Sequence, residues 1–140
     1  MIAFVFPGQG SQKVGMGTEL AAASSAAREV FEEVDDALSM KLSSIMAQGP
    51  EDQLTLTENA QPAIMANAIA TLRALESEFG VTLSDKGACV AGHSLGEYTA
   101  LVFAGAMSFE DGLKLVQIRG QSMQAAADAA PSGMVGWVVV

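Results

Sequence analysis

The stretch Ala88-Cys89-Val90-Ala91-Gly92-His93-Ser94-Leu95-Gly96 decides the fold of this 140-residue chain. A short apolar run is followed by the pattern Gly-x-Ser-x-Gly, which is typical of a nucleophile elbow, a sharp turn from a strand into a helix. The first glycine allows the tight turn, and the second lets the following helix pack closely. Ser94 is therefore predicted at a helix N-terminus, where free backbone N–H groups and the helix dipole favour developing negative charge.

The predicted nucleophile has no evident base in this sequence. A serine hydroxyl needs a base to become a useful nucleophile, and the only histidine of the chain is the adjacent His93. Side chains of adjacent residues at a strand end point to opposite faces, so His93 is not expected to take the proton from Ser94. Either the base lies in further sequence, or the chain is not a self-sufficient enzyme.

Apolar runs of strand length alternate with helical patterns along the whole chain. Strands are predicted at 2–6, 88–93 and 134–140, and helices at 18–39, 41–47, 58–79, 95–103 and from 108 to about 129. This alternation predicts a parallel α/β sheet, and continuously apolar strands predict burial on both faces. Pro62 is expected in the first turn of its helix, which would then start near Gln61, and Gly80 is expected to cap its end. Because the third strand ends the chain, we expect an N-terminal piece of a larger protein.

The composition indicates which binding partners and which cellular compartment to expect for this protein. The formal net charge is −9 with only seven Lys and Arg residues, which disfavours nucleic acid as a partner. An anionic substrate would have to meet locally placed cations. One cysteine allows no intramolecular disulfide, which fits a cytoplasmic protein. No apolar run approaches membrane-spanning length, and the N-terminus lacks the basic region of a signal peptide.

Four segments in order carry a family resemblance. They are Phe4-Val-Phe-Pro-Gly-Gln-Gly-Ser-Gln12, Glu58-Asn-Ala-Gln-Pro-Ala63, Gly92-His-Ser-Leu-Gly-Glu-Tyr-Thr-Ala100 and Gln117-Ile-Arg-Gly120. Together they closely resemble the malonyl-CoA:acyl carrier protein transacylases of fatty acid synthesis, and the acyltransferase domains of polyketide and multifunctional fatty acid synthases. The resemblance runs from Met1 to about Val135.

The resemblance implies roles for individual residues. Ser94 would attack the thioester carbonyl and carry the malonyl group as an ester. The backbone N–H groups of Gln9 and Leu95 would form the oxyanion hole. Arg119 would bind the free carboxylate of malonate, and its guanidinium fork suits a carboxylate bidentately. Gln61 would lie near the site.

The resemblance also implies the wider architecture. Residues 1–130 would be the N-terminal part of an α/β-hydrolase-like large subdomain with a parallel sheet and flanking helices. Residues 131–140 would begin a ferredoxin-like small subdomain. His93 would be a scaffold residue, and the catalytic histidine would come after residue 140. The substrates would be malonyl-CoA and the phosphopantetheine thiol of acyl carrier protein, with no metal or redox cofactor, and the full-length protein would be a monomer.

Two rival functions stay open at this point. A serine hydrolase of the thioesterase or lipase type shares the elbow, but it has no reason to place Arg119 in the site and would release free acid. A non-catalytic fragment or binding module would keep part of the fold without turnover. The 140 residues taken alone are predicted to be inactive and poorly folded, because a base is missing and apolar strands would expose unpaired edges.

Overall fold

The computed structural model describes residues 1–130, which form a mostly helical α/β structure around one two-stranded parallel sheet. The elements in chain order are β1 (Ala3–Phe6), α1 (Thr18–Ala23), α2 (Ser25–Leu38), α3 (Leu42–Gln48), α4 (Glu51–Thr55), α5 (Thr57–Phe79), a 3₁₀ turn (Leu83–Lys86), β2 (Cys89–Gly92), α6 (Gly96–Phe103) and α7 (Phe109–Ala129). In the sheet, Ala3 is opposite Cys89 and Phe6 is opposite Gly92. The predicted α/β class is therefore confirmed. The third strand and the start of a small subdomain, predicted within 131–140, lie outside the described residues.

The prediction of one continuous helix over 18–39 is wrong, because the helix is interrupted at Ser24, which separates α1 from α2. Ser24 has an extended backbone (φ −131°, ψ 123°), and its hydroxyl accepts a hydrogen bond from the Ala27 N–H. A serine in this conformation is a favourable N-cap, since its oxygen satisfies an N–H that has no partner within the helix. The apolar spacing continues through the break, which explains why periodicity alone does not reveal it.

The start of α5 also differs from the prediction. The helix begins at Thr57, so Pro62 lies inside it rather than in its first turn. Pro62 has no N–H to donate to the Glu58 carbonyl, so the helix lacks one hydrogen bond near its start. The short helix α4, immediately before it, was not predicted.

Two predicted helix ends are confirmed. Gly80 follows α5 in the left-handed conformation (φ 61°), and its N–H donates to the Glu76 carbonyl. Ser108 caps α7 by accepting a hydrogen bond from the Asp111 N–H. Local capping chemistry thus fixes where these two long helices stop and start.

The main core lies among α2, α5 and α7. Its fully buried side chains come from the predicted helical stripes and include Val30, Val34, Met65, Leu113 and Val116. Ile118 also lies on α7, but 58% of its surface is exposed. On a helical period, the face of α7 that carries Leu113, Val116 and Gly120 turns inward, and Ile118 lies outside this stripe.

The predicted burial of both strands on both faces is wrong for residues 1–130. Phe4 and Phe6 pack against the Phe103 ring of α6, with ring centroids 4.7 and 5.6 Å apart. Val5 points to the other face, because side chains alternate along a strand, and it is 72% exposed. In this part of the chain, one face of the sheet is covered and the other is largely open.

No helix among the described residues is long and apolar enough to cross a membrane.

Candidate active site

Ser94 lies on the turn between β2 and α6, in a strained backbone conformation. Its φ is +55°, a left-handed value that non-glycine residues adopt rarely and that is common at functional sites. Gly92 must be a glycine here, because a Cβ on it would overlap the backbone of Gly96. The turn is therefore as tight as the sequence pattern predicts.

The second glycine of the elbow fixes α6 against β1. A Cβ on Gly96 would overlap the Phe6 carbonyl oxygen and lie 2.8 Å from the Pro7 carbonyl oxygen. These are backbone atoms of the neighbouring strand end, which cannot rotate away as a side chain can. The elbow is thus held in place by the loop that follows β1.

The Arg119 side chain contacts Ser94 and also residues of helices α5 and α6. Its Nη2 donates to the Ser94 Oγ at 2.9 Å, and its Nη1 donates to the Gln61 Oε1 at 2.6 Å. Its guanidinium carbon lies 5.6 Å from the centroid of the Tyr98 ring, within the range of a cation–π interaction. The half-buried guanidinium therefore contacts the predicted nucleophile directly.

The position of Arg119 depends on a close crossing of α7 and α5. A Cβ on Gly120 would lie 2.5 Å from the Thr57 carbonyl oxygen and 2.7 Å from the Glu58 Cα. Gly120 therefore lets α7 approach the start of α5, and its neighbour Arg119 reaches Gln61 on that helix. Gln61 is fully buried, and its Nε2 donates to the Met123 Sδ at 3.3 Å.

The loop after β1 brings Gln9 to the same end of the sheet. A Cβ on Gly8 would lie 2.5 Å from the His93 Nδ1 and 2.7 Å from the His93 carbonyl oxygen, so this loop packs on the elbow. The Gln9 side chain donates to the Thr57 Oγ1 at 3.2 Å. Within residues 1–130, neither the Gln9 nor the Leu95 backbone N–H donates a hydrogen bond.

His93 and Ser94 contact different parts of the protein. The His93 imidazole is exposed and lies beside Gly8, whereas the Ser94 hydroxyl contacts Arg119. Arg119 is only a donor. Among the residues that the structure describes, no side chain therefore accepts the Ser94 proton. That His93 is not the base remains a prediction.

Two contributors to the site were missed by sequence reasoning. Tyr98 lies on α6, which begins two residues after Ser94, and Met123 lies four residues after Arg119 on α7. The i, i+4 spacing on α7 is a signal that could have suggested Met123. Over the same described range, no group of three or more His, Cys, Asp or Glu side chains could hold a metal ion.

A comparison with protein-family models matches residues 3–138 to the acyl transferase domain. Curated relatives include malonyl CoA-acyl carrier protein transacylases from Bacillus subtilis (strain 168), 49% identical over 95% of this chain, and from Escherichia coli (strain K12), 44% identical over 94% of it. The chain belongs to the malonyl-CoA:acyl carrier protein transacylase family of acyl transferases. The family resemblance inferred from the four segments is thereby confirmed.

Solved structures of family members show the same fold. An acyl-carrier-protein-S-malonyltransferase from Bartonella henselae superposes with a TM-score of 0.85 at 57% identity, over 90% of this chain and 40% of that one. A malonyl-transacylase solved in complex with its type II polyketide acyl carrier protein matches with a TM-score of 0.80 at 41% identity, over 94% of this chain and 40% of that one. The chain spans about 40% of the length of the curated relatives named above.

Proposed function

We propose that this chain supplies the nucleophile and the carboxylate-binding group of a malonyl-CoA:acyl carrier protein transacylase. The observation that carries the proposal is the 2.9 Å contact between the Arg119 Nη2 and the Ser94 Oγ. In a malonyl thioester, only one carbon separates the reacting carbonyl from the free carboxylate. A cation beside the nucleophile is therefore well placed to bind that carboxylate while Ser94 attacks.

In the first half-reaction, the Ser94 oxygen attacks the thioester carbonyl of malonyl-CoA. A base outside residues 1–130 takes the hydroxyl proton; in this proposal it is a histidine in further sequence. The negative charge that develops on the carbonyl oxygen is stabilised by the N–H groups of Gln9 and Leu95. Loss of one such donor typically slows a reaction by on the order of 100-fold or more. The intermediate then breaks its C–S bond, the base gives its proton to the coenzyme A sulfur, and a malonyl ester stays on Ser94.

In the second half-reaction, the phosphopantetheine thiol of acyl carrier protein attacks the ester. The base removes the thiol proton, the C–O bond to Ser94 breaks, and the serine oxygen takes the proton back. The enzyme is restored and the malonyl group is on the carrier. This double displacement has no net redox change, and the relative solved with an acyl carrier protein supports the carrier as acceptor.

The finer architecture belongs to the same proposal. Residues 1–130 would be part of an α/β-hydrolase-like large subdomain, and residues 131–140 would begin a ferredoxin-like small subdomain. The open face of the sheet, where Val5 is exposed, is where further elements of the large subdomain would pack. The complete protein would act as a cytoplasmic monomer.

The test distinguishes transfer to a thiol from release to water. The complete protein to which this chain belongs is incubated with malonyl-CoA and phosphopantetheinylated acyl carrier protein, and the mass of the carrier is measured. A gain of one malonyl group on the carrier is expected. Release of free malonate with an unmodified carrier would instead support the serine hydrolase, and no reaction would support a non-catalytic module.

A further inference from the structure

Gln61 is held in one orientation inside the protein. It is fully buried on α5, its Oε1 accepts from Arg119 at 2.6 Å, and its Nε2 donates to the Met123 Sδ at 3.3 Å. A rotated amide would place its NH₂ group against the guanidinium, which has only donors. The hydrogen bonds therefore select a single orientation, with the amide oxygen facing Arg119.

This contact fixes one arm of the guanidinium and leaves the other arm beside Ser94. Nη1 is bound to Gln61, and Nη2 is directed to the Ser94 hydroxyl. The Tyr98 ring lies against the same group. An arginine side chain has many rotamers in solution, and holding it in one of them removes an entropic cost from substrate binding.

The groups that hold Arg119 are all neutral. The ion pairs of the described residues involve Lys41, Arg73 and Lys114, and none involves Arg119. Among the described residues, Arg119 therefore has no acidic partner, although the chain carries 16 Asp and Glu residues. A glutamate at position 61 would have almost the same shape as the glutamine but would neutralise the guanidinium before substrate arrives.

We propose that Gln61 is a positioning residue: it orients Arg119 through a neutral hydrogen bond and leaves the arginine charge available for the carboxylate of the acyl substrate. The inference rests on the proposed function, because it assigns Arg119 to that carboxylate. It assigns Gln61 no contact with the reacting atoms.

The test compares Gln61→Glu with wild type in the complete protein, with malonyl-CoA and acetyl-CoA as acyl donors. The buried carboxylate competes with malonate for Arg119, so the KM for malonyl-CoA is expected to rise on the order of tenfold or more. Acetyl transfer has no carboxylate to bind and is expected to change by less than about threefold. The ratio of malonyl to acetyl kcat/KM therefore falls.

Gln117→Glu is the matched control. Gln117 is half-buried and lies on α7 two residues before Arg119. Like Gln61, it donates to a methionine sulfur, that of Met40, at 3.5 Å. Within the described part of the chain, no hydrogen bond joins it to Arg119. The control is expected to keep the wild-type ratio of malonyl to acetyl kcat/KM.

A second variant covers the case in which Gln61→Glu does not fold. Gln61→Met keeps the volume and removes the oxygen that orients Arg119, so the ratio is again expected to fall, with less increase in the malonyl KM than in the glutamate variant. Equal losses on both donors in each folded variant would overturn the inference and leave Gln61 a structural residue. If wild type itself shows no malonyl transfer or no preference for malonyl over acetyl, the proposed function fails instead.

Discussion

At the scale of single residues, the structure brings together side chains that are far apart in the sequence. Gln61, Ser94 and Arg119 were predicted near one site from the family resemblance, and hydrogen bonds connect all three. Residue spacing alone could not predict this, because Gln61 and Arg119 meet through a helix crossing rather than through local sequence. The stacking of Arg119 on Tyr98 escaped prediction for the same reason.

Arg119→Ala is expected to reduce malonyl transfer far more than acetyl transfer. Removing the guanidinium leaves the malonyl carboxylate unpaired in a partly dry site, a cost of several kcal/mol. Arg119→Lys retains the charge without the bidentate fork, so an intermediate loss is expected. Steady-state kinetics with both donors measures the effect, and equal losses on the two donors would reduce Arg119 to a structural role.

At the scale of elements, glycines at backbone contacts decide how the helices and strands approach the site. The Gly-x-Ser-x-Gly pattern correctly predicts the tight turn and the close packing of α6, because that chemistry is local. The contact of Gly120 with Thr57 joins two helices that are distant in sequence. Its consequence for Arg119 could not be inferred from the sequence without the tertiary structure. The break at Ser24 was missed because a cap depends on backbone angles that the apolar spacing does not determine.

Gly96→Ala is expected to destabilise the protein by about 1–3 kcal/mol or more, as overpacking does where the neighbours cannot move. The added methyl group meets carbonyl oxygens of Phe6 and Pro7. Thermal unfolding of the complete protein measures the change. Glu97→Ala, one residue further along on the exposed side of α6, is the control and is expected to stay within about 0.5 kcal/mol of wild type. A Gly96→Ala variant as stable as that control would contradict the packing described for the elbow.

Gly120→Ala is expected to lower both stability and the preference for malonyl-CoA. The methyl group, 2.5 Å from the Thr57 carbonyl oxygen, pushes α7 away from α5 and moves Arg119 relative to Gln61. Gln121→Ala changes the next, exposed position of α7 and is the control. Kinetics with malonyl-CoA and acetyl-CoA, together with thermal unfolding, test the prediction. If Gly120→Ala keeps the wild-type ratio of malonyl to acetyl kcat/KM, the close crossing of α7 and α5 does not determine the preference for malonyl-CoA.

At the scale of the whole molecule, residues 1–130 hold the proposed nucleophile Ser94 and the cation Arg119 but leave one face of the sheet open. The alternation of apolar runs correctly predicts the parallel α/β class. It fails on the burial of the strands, since β1 and β2 pair only with each other over this range and Val5 is 72% exposed. The burial of a strand depends on how many other elements flank it, and the apolar pattern of the strand itself does not reveal how many there are.

The chain of 140 residues expressed alone is expected to aggregate and to show no turnover. Open strand edges and exposed valines are templates for association between chains, and no base for Ser94 lies among the residues described. Soluble yield, cooperativity of unfolding and malonyl transfer to the carrier are the measurements. A soluble monomer that unfolds cooperatively and transfers malonate catalytically would overturn this expectation, and with it the assignment of His93 as a scaffold residue.

The central claim is that Ser94 carries the acyl group. The most direct measurement is to incubate the complete protein with malonyl-CoA in the absence of carrier, digest it, and locate the added mass by peptide sequencing. We expect one malonyl group on the peptide that contains Ser94 and none in the Ser94→Ala variant. A malonyl group on any other residue, or labelling that persists in Ser94→Ala, would contradict the account.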